Sequence, residues 1–167
     1  MAKAQEELYL RYADKMFRTA FRYIHSQADA EDVLVISFTK VFTKMQGFVY
    51  QGKNSLEAWI RKIVINESLM WLRQRHNFHL TKTIDAVMTE PDLSAFSKLD
   101  EEDIYQCITR LPTGYRTVFN LFIIEGYSHQ EIASQLGISE NTSRSQLFKA
   151  KALLRKMLQQ DGLEYGT

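Results

Sequence analysis

Residues 126–150 read GYSHQEIASQLGISENTSRSQLFKA, a run with two helix starts and one tight turn. Ser128 and Glu131 form a predicted capping box at the first start, and Ser139 is a candidate N-cap at the second. Gly137 lies between them, where a chain that leaves a helix needs a positive φ. Two short helices joined by such a turn form a helix-turn-helix, whose second helix can enter a DNA major groove.

The second helix of this motif has two predicted faces. At about 3.6 residues per turn, Leu147, Ala150 and Leu154 fall on one side and can pack inward. The opposite side carries basic, amide, hydroxyl and phenyl groups, which can bond base edges, meet a thymine methyl or neutralise phosphates. The alternative is an amphipathic helix whose basic side is only solvated. We predict contacts with duplex DNA from Asn141, Arg144, Ser145, Phe148, Lys149, Lys151 and Arg155.

The composition lacks membrane and export signals. The 167 residues suffice for one ordinary domain or two small ones. The longest apolar runs, such as Val118–Ile124, are too short to span a bilayer, and the first residues contain no apolar signal segment. Cys107 is the only cysteine and is expected to be a small core residue. We therefore expect a cytoplasmic protein without membrane insertion.

Charge is distributed unevenly along the chain. Residues 1–76 carry 12 Lys and Arg against 8 Asp and Glu, and residues 108–167 carry 7 against 5. Residues 77–107, between them, carry only 2 against 7. The acidic segment reduces the attraction of the whole chain for DNA phosphates. We expect weak DNA binding by the free protein and a partner that makes binding tight.

Helical periodicity and the scarcity of strand signals predict an all-α fold, with two helical lobes joined by a flexible linker. The periodicity fails around Pro91, where scattered polar residues mark the linker. The predicted divisions are a first lobe 1–76, a linker 77–100, a second lobe 101–160 and a tail 161–167. The predicted helices are Leu8–His25, Asp29–Met45, Ser55–Arg75, Leu93–Leu99, Glu101–Leu111 and Tyr115–Glu125, with a break at Ser26–Asp29 and a turn at Pro112–Gly114.

Several runs resemble bacterial sigma factors. Residues 29–42, DAEDVLVISFTKVF, and residues 55–73, SLEAWIRKIVINESLMWLR, resemble sigma region 2. Residues 111–119, LPTGYRTVF, and residues 125–133, EGYSHQEIA, resemble sigma region 4. The size and the absence of other sigma regions are typical of the extracytoplasmic-function group. The run TSRSQ at Thr142–Gln146 resembles the Bacteroidetes type of that group.

The resemblance implies a factor that binds core RNA polymerase and directs promoter-specific transcription initiation. Region 4 would read the minus-35 promoter element, and region 2 would melt and capture the minus-10 element. The family usually also has an anti-sigma factor that wedges between the lobes. The resemblance implies docking on the clamp helices of the polymerase β′ subunit through Asp32, Val35, Ile36, Phe38 and Thr39.

The loop at residues 48–54 matches the family element that captures a flipped base. Opened bases are read by stacking on aromatic rings and by amide hydrogen bonds, and this loop offers both. The alternative is that the loop ring packs on the lobe and that Asn66 satisfies local backbone. Trp59 and Trp71 are expected in the core. The predicted minus-10 contacts are Tyr50, Lys53, Asn54, Asn66, Arg61 and Arg73.

Three positions depart from the usual patterns. The family often has a polar pair where this chain has Val35–Ile36, which predicts a more apolar interface, unless both residues are simply core. The family often has a basic residue at Phe122, so one phosphate contact is expected to be missing. Ser143 stands where helix-turn-helix motifs usually carry an apolar β-branched residue. Its hydroxyl is expected to bond a carbonyl one helical turn earlier.

Other classes of protein fit the sequence less well. A stand-alone helix-turn-helix regulator would use residues 1–76 as a sensor or dimerisation lobe, and an adaptor would use the helices for binding alone. A sensor needs a pocket where this chain offers an aromatic-amide-lysine loop. The four histidines show no metal-ligand spacing, and no phosphate-binding glycine loop or nucleophile motif is present. We expect no catalytic residue, no metal and no cofactor.

Overall fold

The computed structural model describes residues 2–78 and 93–160. The chain divides into two compact units, Met1–Arg75 and His76–Thr167. All regular structure within the described residues is helical, and they contain no strand. This confirms the predicted all-α fold with two helical lobes.

Three long helices form the first unit, and each packs against the other two. They are α1 (Ala2–Ile24), α2 (Gln27–Lys44) and α3 (Ser55–Arg75). The break predicted at Ser26–Asp29 is shorter than expected and consists of the N-cap Ser26. The hydroxyl of Ser26 accepts a hydrogen bond from the backbone N of Asp29 at 3.4 Å, so the helix already begins at Gln27.

The core of the first unit is apolar, and ion pairs between its helices border it. Phe38 of α2 is only 2% exposed, and its ring meets the ring of Tyr9 edge-on at 5.0 Å. One ion pair, between Lys15 and Glu57, joins α1 to α3, and another joins α2 to α3 through Lys40 and Glu67. Other core side chains are Met16, Tyr23, Val41, Ile60, Val64 and Leu69.

The described part of the second unit contains four α-helices and shorter helical segments. After a 3-10 turn at Ser94–Lys98 come α4 (Glu101–Thr109), α5 (Thr113–Phe119), a π-helical turn at Asn120–Ile124, α6 (His129–Leu136) and α7 (Glu140–Gln160). α7 packs against α5 and α6. The predicted helix Tyr115–Glu125 is therefore one α segment and one π segment. Core side chains include Leu111, Val118, Leu121, Ile132, Leu154 and Leu158.

The start of α5 differs from the prediction. The sequence predicted a turn at Pro112–Gly114, but Pro112 is the N-cap and the helix begins at Thr113. Gly114 is buried, and a Cβ there would lie 3.1 Å from Oε1 and 3.3 Å from Nε2 of the buried Gln146 in α7. Glycine at this position allows close helix packing. The turn prediction was wrong because it treated glycine only as a turn-forming residue and not as one that allows two helices to pack closely.

Helix α5 contains a buried arginine. Arg116 donates a hydrogen bond from Nη1 to the backbone oxygen of Leu111 at 2.6 Å, and burial lowers the pKa of its guanidinium to about 10. Arg116 therefore stays charged at neutral pH. Burial and the charge of Arg116 also lower the pKa of His76, whose ring meets Phe78 edge-on at 4.5 Å.

Much of the predicted linker lies outside the described residues. Of the predicted range 77–100, residues 79–92 are not described, and neither is the predicted tail 161–167. The short helix predicted at Leu93–Leu99 is present as the 3-10 turn Ser94–Lys98. The predicted division of the chain and the flexibility of the linker stay predictions.

Candidate nucleic-acid interface

The helix-turn-helix forms through the predicted local signals. The hydroxyl of Ser128 accepts from the backbone N of Glu131 at 3.1 Å, and the Glu131 carboxylate accepts from the backbone N of Ser128 at 2.8 Å. Gly137 ends α6 with a φ of 66°. The hydroxyl of Ser139 accepts from the backbone N of Thr142 at 3.0 Å. The capping box, the glycine turn and the second cap are all confirmed.

The two predicted faces of α7 are largely confirmed, with one correction. Leu147, Ala150 and Leu154 are buried against the unit. Ser145, however, is only 8% exposed, so the prediction that it belongs to the DNA-facing side is wrong. The remaining predicted contacts are exposed at Asn141, Arg144 and Arg155 and half-buried at Phe148, Lys149 and Lys151.

The guanidinium of Arg144 is held near the start of α7. Nη2 lies 3.1 Å from a carboxylate oxygen of Glu140, and Nη1 donates to the amide oxygen of Asn141 at 3.2 Å. Both partners precede it on the same helix, so the side chain lies along the exposed surface of α7. An arginine in this position can present two donors to a guanine edge once it leaves these partners.

Ser143 has a different partner from the one expected. Its side chain is fully buried, and its hydroxyl lies 2.8 Å from Nδ1 of His129, the first residue of α6. The His129 ring in turn stacks on Phe122, with ring centroids 4.4 Å apart and planes at 20°. Sequence reasoning missed this cluster, because His129 and Ser143 meet only through tertiary packing.

The outer surface of α2 carries most of the predicted polymerase-binding residues. Val35 is 60% exposed and Ile36 48%, which excludes the alternative that they are core. Asp32 and Thr39 are exposed as well. Phe38 was predicted on the same surface, but it lies in the core against Tyr9, so that prediction was wrong.

A groove of about 360 Å³ lies between α2 and α3. Ile36 lines one wall, and Met70 and Trp71 line the other. The guanidinium of Arg75 lies 4.4 Å from the centroid of the Trp71 ring. Trp71 is half-buried, so it lines a surface groove instead of filling the core as expected. Sequence reasoning did not identify Met70 or Trp71 as surface groups, because apolar residues on a helix are normally assigned inward.

The loop at residues 48–54 is held in place by its own contacts and exposes the ring of Tyr50. Phe48 packs on Trp59, with ring centroids 5.0 Å apart. Gly52 has a φ of 121°, and the hydroxyl of Ser55 accepts from the backbone N of Gln51 at 3.1 Å. Tyr50 projects from this support and is 70% exposed, which excludes the alternative that it packs on the lobe.

The other predicted minus-10 residues are also accessible, in differing degree. Lys53 and Asn54 are exposed beside the ring, and Asn66 and Arg73 are exposed on α3. Arg61 is half-buried. Aromatic rings, amides and cations are the groups that bind unpaired bases and their phosphates.

No helix in the described ranges 2–78 and 93–160 is long and apolar enough to cross a membrane. In the same residues, no group of three or more His, Cys, Asp or Glu side chains is arranged to hold a metal ion.

Two family models match the chain in the order that the sequence predicted. Residues 8–78 match sigma-70 region 2, and residues 101–154 match sigma-70, region 4. The chain belongs to the sigma-70 family. The second match contains the complete helix-turn-helix, and the first contains both the exposed surface of α2 and the Tyr50 loop.

Curated relatives of this sigma factor support a narrower assignment. It is 30% identical over 159 residues to the ECF RNA polymerase sigma factor SigE of Mycolicibacterium smegmatis, covering 92% of this chain and 61% of that relative. It is 26% identical to the RNA polymerase sigma factor SigV of Bacillus subtilis, covering 88% of this chain and 86% of that one. These relatives confirm the predicted resemblance to extracytoplasmic-function sigma factors.

A solved structure shares the fold of this sigma factor. The sigma factor RpoE of Bartonella quintana, crystallised with the anti-sigma factor NepR, matches with a TM-score of 0.51 at 22% identity. The match covers 95% of this chain and 99% of that one. The order of helices in the two units is therefore that of a known sigma factor fold.

Proposed function

We propose that this sigma factor binds core RNA polymerase and directs promoter-specific transcription initiation. The second unit reads the minus-35 element as duplex DNA, and the first unit melts and captures the minus-10 element. The observation that carries the proposal is a complete helix-turn-helix with Arg144 exposed, in a chain that also contains sigma-70 region 2.

The proposed polymerase site is the outer surface of α2. Asp32, Val35, Ile36 and Thr39 contact the clamp helices of the β′ subunit. Apolar side chains exposed at 60% and 48% lose water-accessible area when a partner helix covers them, and this favours association. The groove beside Ile36 gives such a helix a place to insert a side chain.

The proposed minus-35 contacts divide by chemistry. Arg144 and Asn141 bond base edges, and Phe148 meets a thymine methyl. Lys149, Lys151 and Arg155 neutralise phosphates. In the minus-10 site, Tyr50 stacks on an unpaired base, while Lys53, Asn54, Asn66, Arg61 and Arg73 supply amides and cations.

Further partners and the group of this factor follow from the resemblance. An anti-sigma factor regulates it, as the complex of the Bartonella quintana relative with NepR suggests. The protein acts in the cytoplasm, where the polymerase is. The run Thr142–Gln146 supports membership of the Bacteroidetes type, which predicts more transcript with a Bacteroidetes core polymerase than with an enterobacterial one.

Run-off transcription tests the main proposal. Core polymerase with this protein is expected to produce transcripts from a subset of a promoter library, while core polymerase alone produces none from those templates. Specific binding of the free protein to duplex DNA, with no transcript in the presence of core polymerase, would instead indicate a stand-alone regulator.

A further inference from the structure

The Ser143 hydroxyl is a polar group in a fully buried position of the recognition helix α7. A hydroxyl that is removed from water needs a partner, because an unpaired one costs much of its desolvation energy. Its observed partner is Nδ1 of His129 at 2.8 Å. The apolar residue usual at this position would pack there without any preferred direction.

His129 joins three consecutive segments of the second unit: the π-helical turn, α6 and α7. It is the first residue of α6, directly after the N-cap Ser128. Its ring stacks on Phe122 of the π-helical turn at 4.4 Å, and its nitrogen reaches α7. Stacking restricts the plane of the ring, and the hydrogen bond is directional, so together they restrain the rotation of α7 about its own axis.

The residue next to Ser143 is Arg144, which we propose as the base-reading arginine. Bidentate recognition of a base edge requires both donors within normal hydrogen-bond distance and angle. A small rotation of α7 about its axis moves the guanidinium sideways across the groove. The setting of α7 therefore bears on base discrimination more than on total affinity, which phosphate contacts dominate.

We propose that His129 is a positioning residue for minus-35 recognition. Its hydrogen bond to Ser143, with the ring held by Phe122, sets the rotation of α7 so that Arg144 meets its base. The inference rests on the proposed reading of the minus-35 element by α7. It predicts that losing the hydrogen bond reduces discrimination between bases while leaving phosphate-driven binding intact.

Two variants separate the hydrogen bond from the ring. His129→Phe keeps a stacking ring and removes the nitrogen, whereas His129→Asn removes the ring but keeps a polar group near the position of Nδ1. Ser143→Ala removes the partner, and Ser143→Thr keeps the hydroxyl. Ser134→Ala, which removes an exposed hydroxyl from α6, is the matched control.

The base that Arg144 contacts is first identified as the position at which Arg144→Ala loses discrimination. The affinity of the full-length protein is then measured for a minus-35 duplex and for the same duplex with that base changed. The ratio of the two affinities is expected to fall about three- to tenfold in Ser143→Ala and His129→Phe, in line with the usual net value of one hydrogen bond. The double variant is expected to fall no further. His129→Asn, Ser143→Thr and Ser134→Ala are expected to retain most of the ratio.

Different failures have different meanings. If Arg144→Ala leaves the ratio unchanged at every base, then the proposed minus-35 reading fails. If Arg144→Ala lowers the ratio but His129→Phe and Ser143→Ala do not, then His129 has no positioning role. Circular dichroism checks folding, and if Ser143→Ala unfolds, the comparison of His129→Phe with His129→Asn decides. Equal ratios in those two variants would overturn the proposal.

Discussion

At Gly114 the second unit leaves little room for a side chain. The buried amide of Gln146 would lie 3.1–3.4 Å from a Cβ there, closer than ordinary van der Waals contact, and both residues belong to helices that pack closely together. Such contacts respond to the addition of a single carbon, because protein interiors are packed about as densely as organic crystals.

Gly114→Ala is therefore expected to destabilise the second unit by about 1–3 kcal/mol, the usual cost of overpacking. Urea unfolding of the full chain, followed through NMR signals of the second unit, measures the change. Gly47→Ala is the control, since no atom lies within 4 Å of a Cβ at that position. A Gly114→Ala protein as stable as the parent would show that Gln146 moves aside without cost.

His76 gives the second unit a pH dependence with a definite sign. Burial and the nearby Arg116 lower the pKa of His76 below its ordinary value of 6.5. As the pH falls through 6.5, the unfolded chain takes up a proton that the folded unit does not, so stability is lost on the acid side and unchanged above it. We expect the urea midpoint of the second unit to decrease between pH ~7.5 and ~5.5, and less so in His76→Gln. Identical pH profiles for the two proteins would contradict this prediction.

Arg144 and Lys151 are expected to affect DNA binding differently. Arg144→Ala is expected to cost about 1–3 kcal/mol at one base position, because it removes a base-edge contact. Lys151→Ala is expected to weaken all sequences evenly and to reduce the salt slope by about 1, because it removes a phosphate contact. Titration of a set of single-base duplex variants at several salt concentrations distinguishes the two. A uniform loss for Arg144→Ala would make it a phosphate contact.

Helix α2 shows how one element serves two purposes on opposite sides. Phe38 points into the three-helix core, while Val35 and Ile36 point outward. Substitutions on the two sides are therefore expected to have separate effects, one on folding and one on polymerase binding.

Val35→Asp with Ile36→Asp is expected to weaken binding to core polymerase while the free protein remains folded. Phe38→Ala is expected to destabilise the first unit by about 3–5 kcal/mol, because it leaves a cavity in the core. Thermal unfolding and a core-polymerase binding assay are measured for both variants. A folded Val35/Ile36 variant with normal polymerase affinity would remove this surface from the proposed interface.

The predictable features of these elements are the local ones. The caps at Ser128 and Ser139 and the positive φ at Gly137 depend on neighbours within four residues, so the sequence pattern predicted them correctly. The inward position of Phe38 depends on packing against α1, and α2 is apolar on more than one side. The bond between His129 and Ser143 depends on the contact of two helices. Local periodicity contains no information about either.

At the scale of the whole molecule, each unit has its own core and its own proposed promoter element. The first unit carries the Tyr50 loop, and the second carries the helix-turn-helix. Damage to one proposed DNA site is therefore expected to leave the other site working, as long as both units stay folded.

Tyr50→Ala is expected to impair promoter opening by polymerase, since stacking on one aromatic ring contributes about 1–3 kcal/mol per base. Binding of the minus-35 duplex is expected to stay intact. Permanganate footprinting of thymines on closed and pre-melted promoters measures opening, and the pre-melted template is expected to restore opening but not base preference. Normal opening with unchanged base preference in Tyr50→Ala would show that another residue captures the base.

The carboxylate of Glu140 competes with DNA for the guanidinium of Arg144. Before DNA arrives, it already occupies the guanidinium, at 3.1 Å on an exposed surface. Exposed pairs of this kind contribute about 0–1 kcal/mol, so the competition from Glu140 is weak. A base edge must bind the guanidinium more strongly than Glu140 does before Arg144 changes partners. Breaking the pair therefore subtracts the same small free energy from any base contact that we propose for Arg144, so a weak contact with a mismatched base is expected to be lost first.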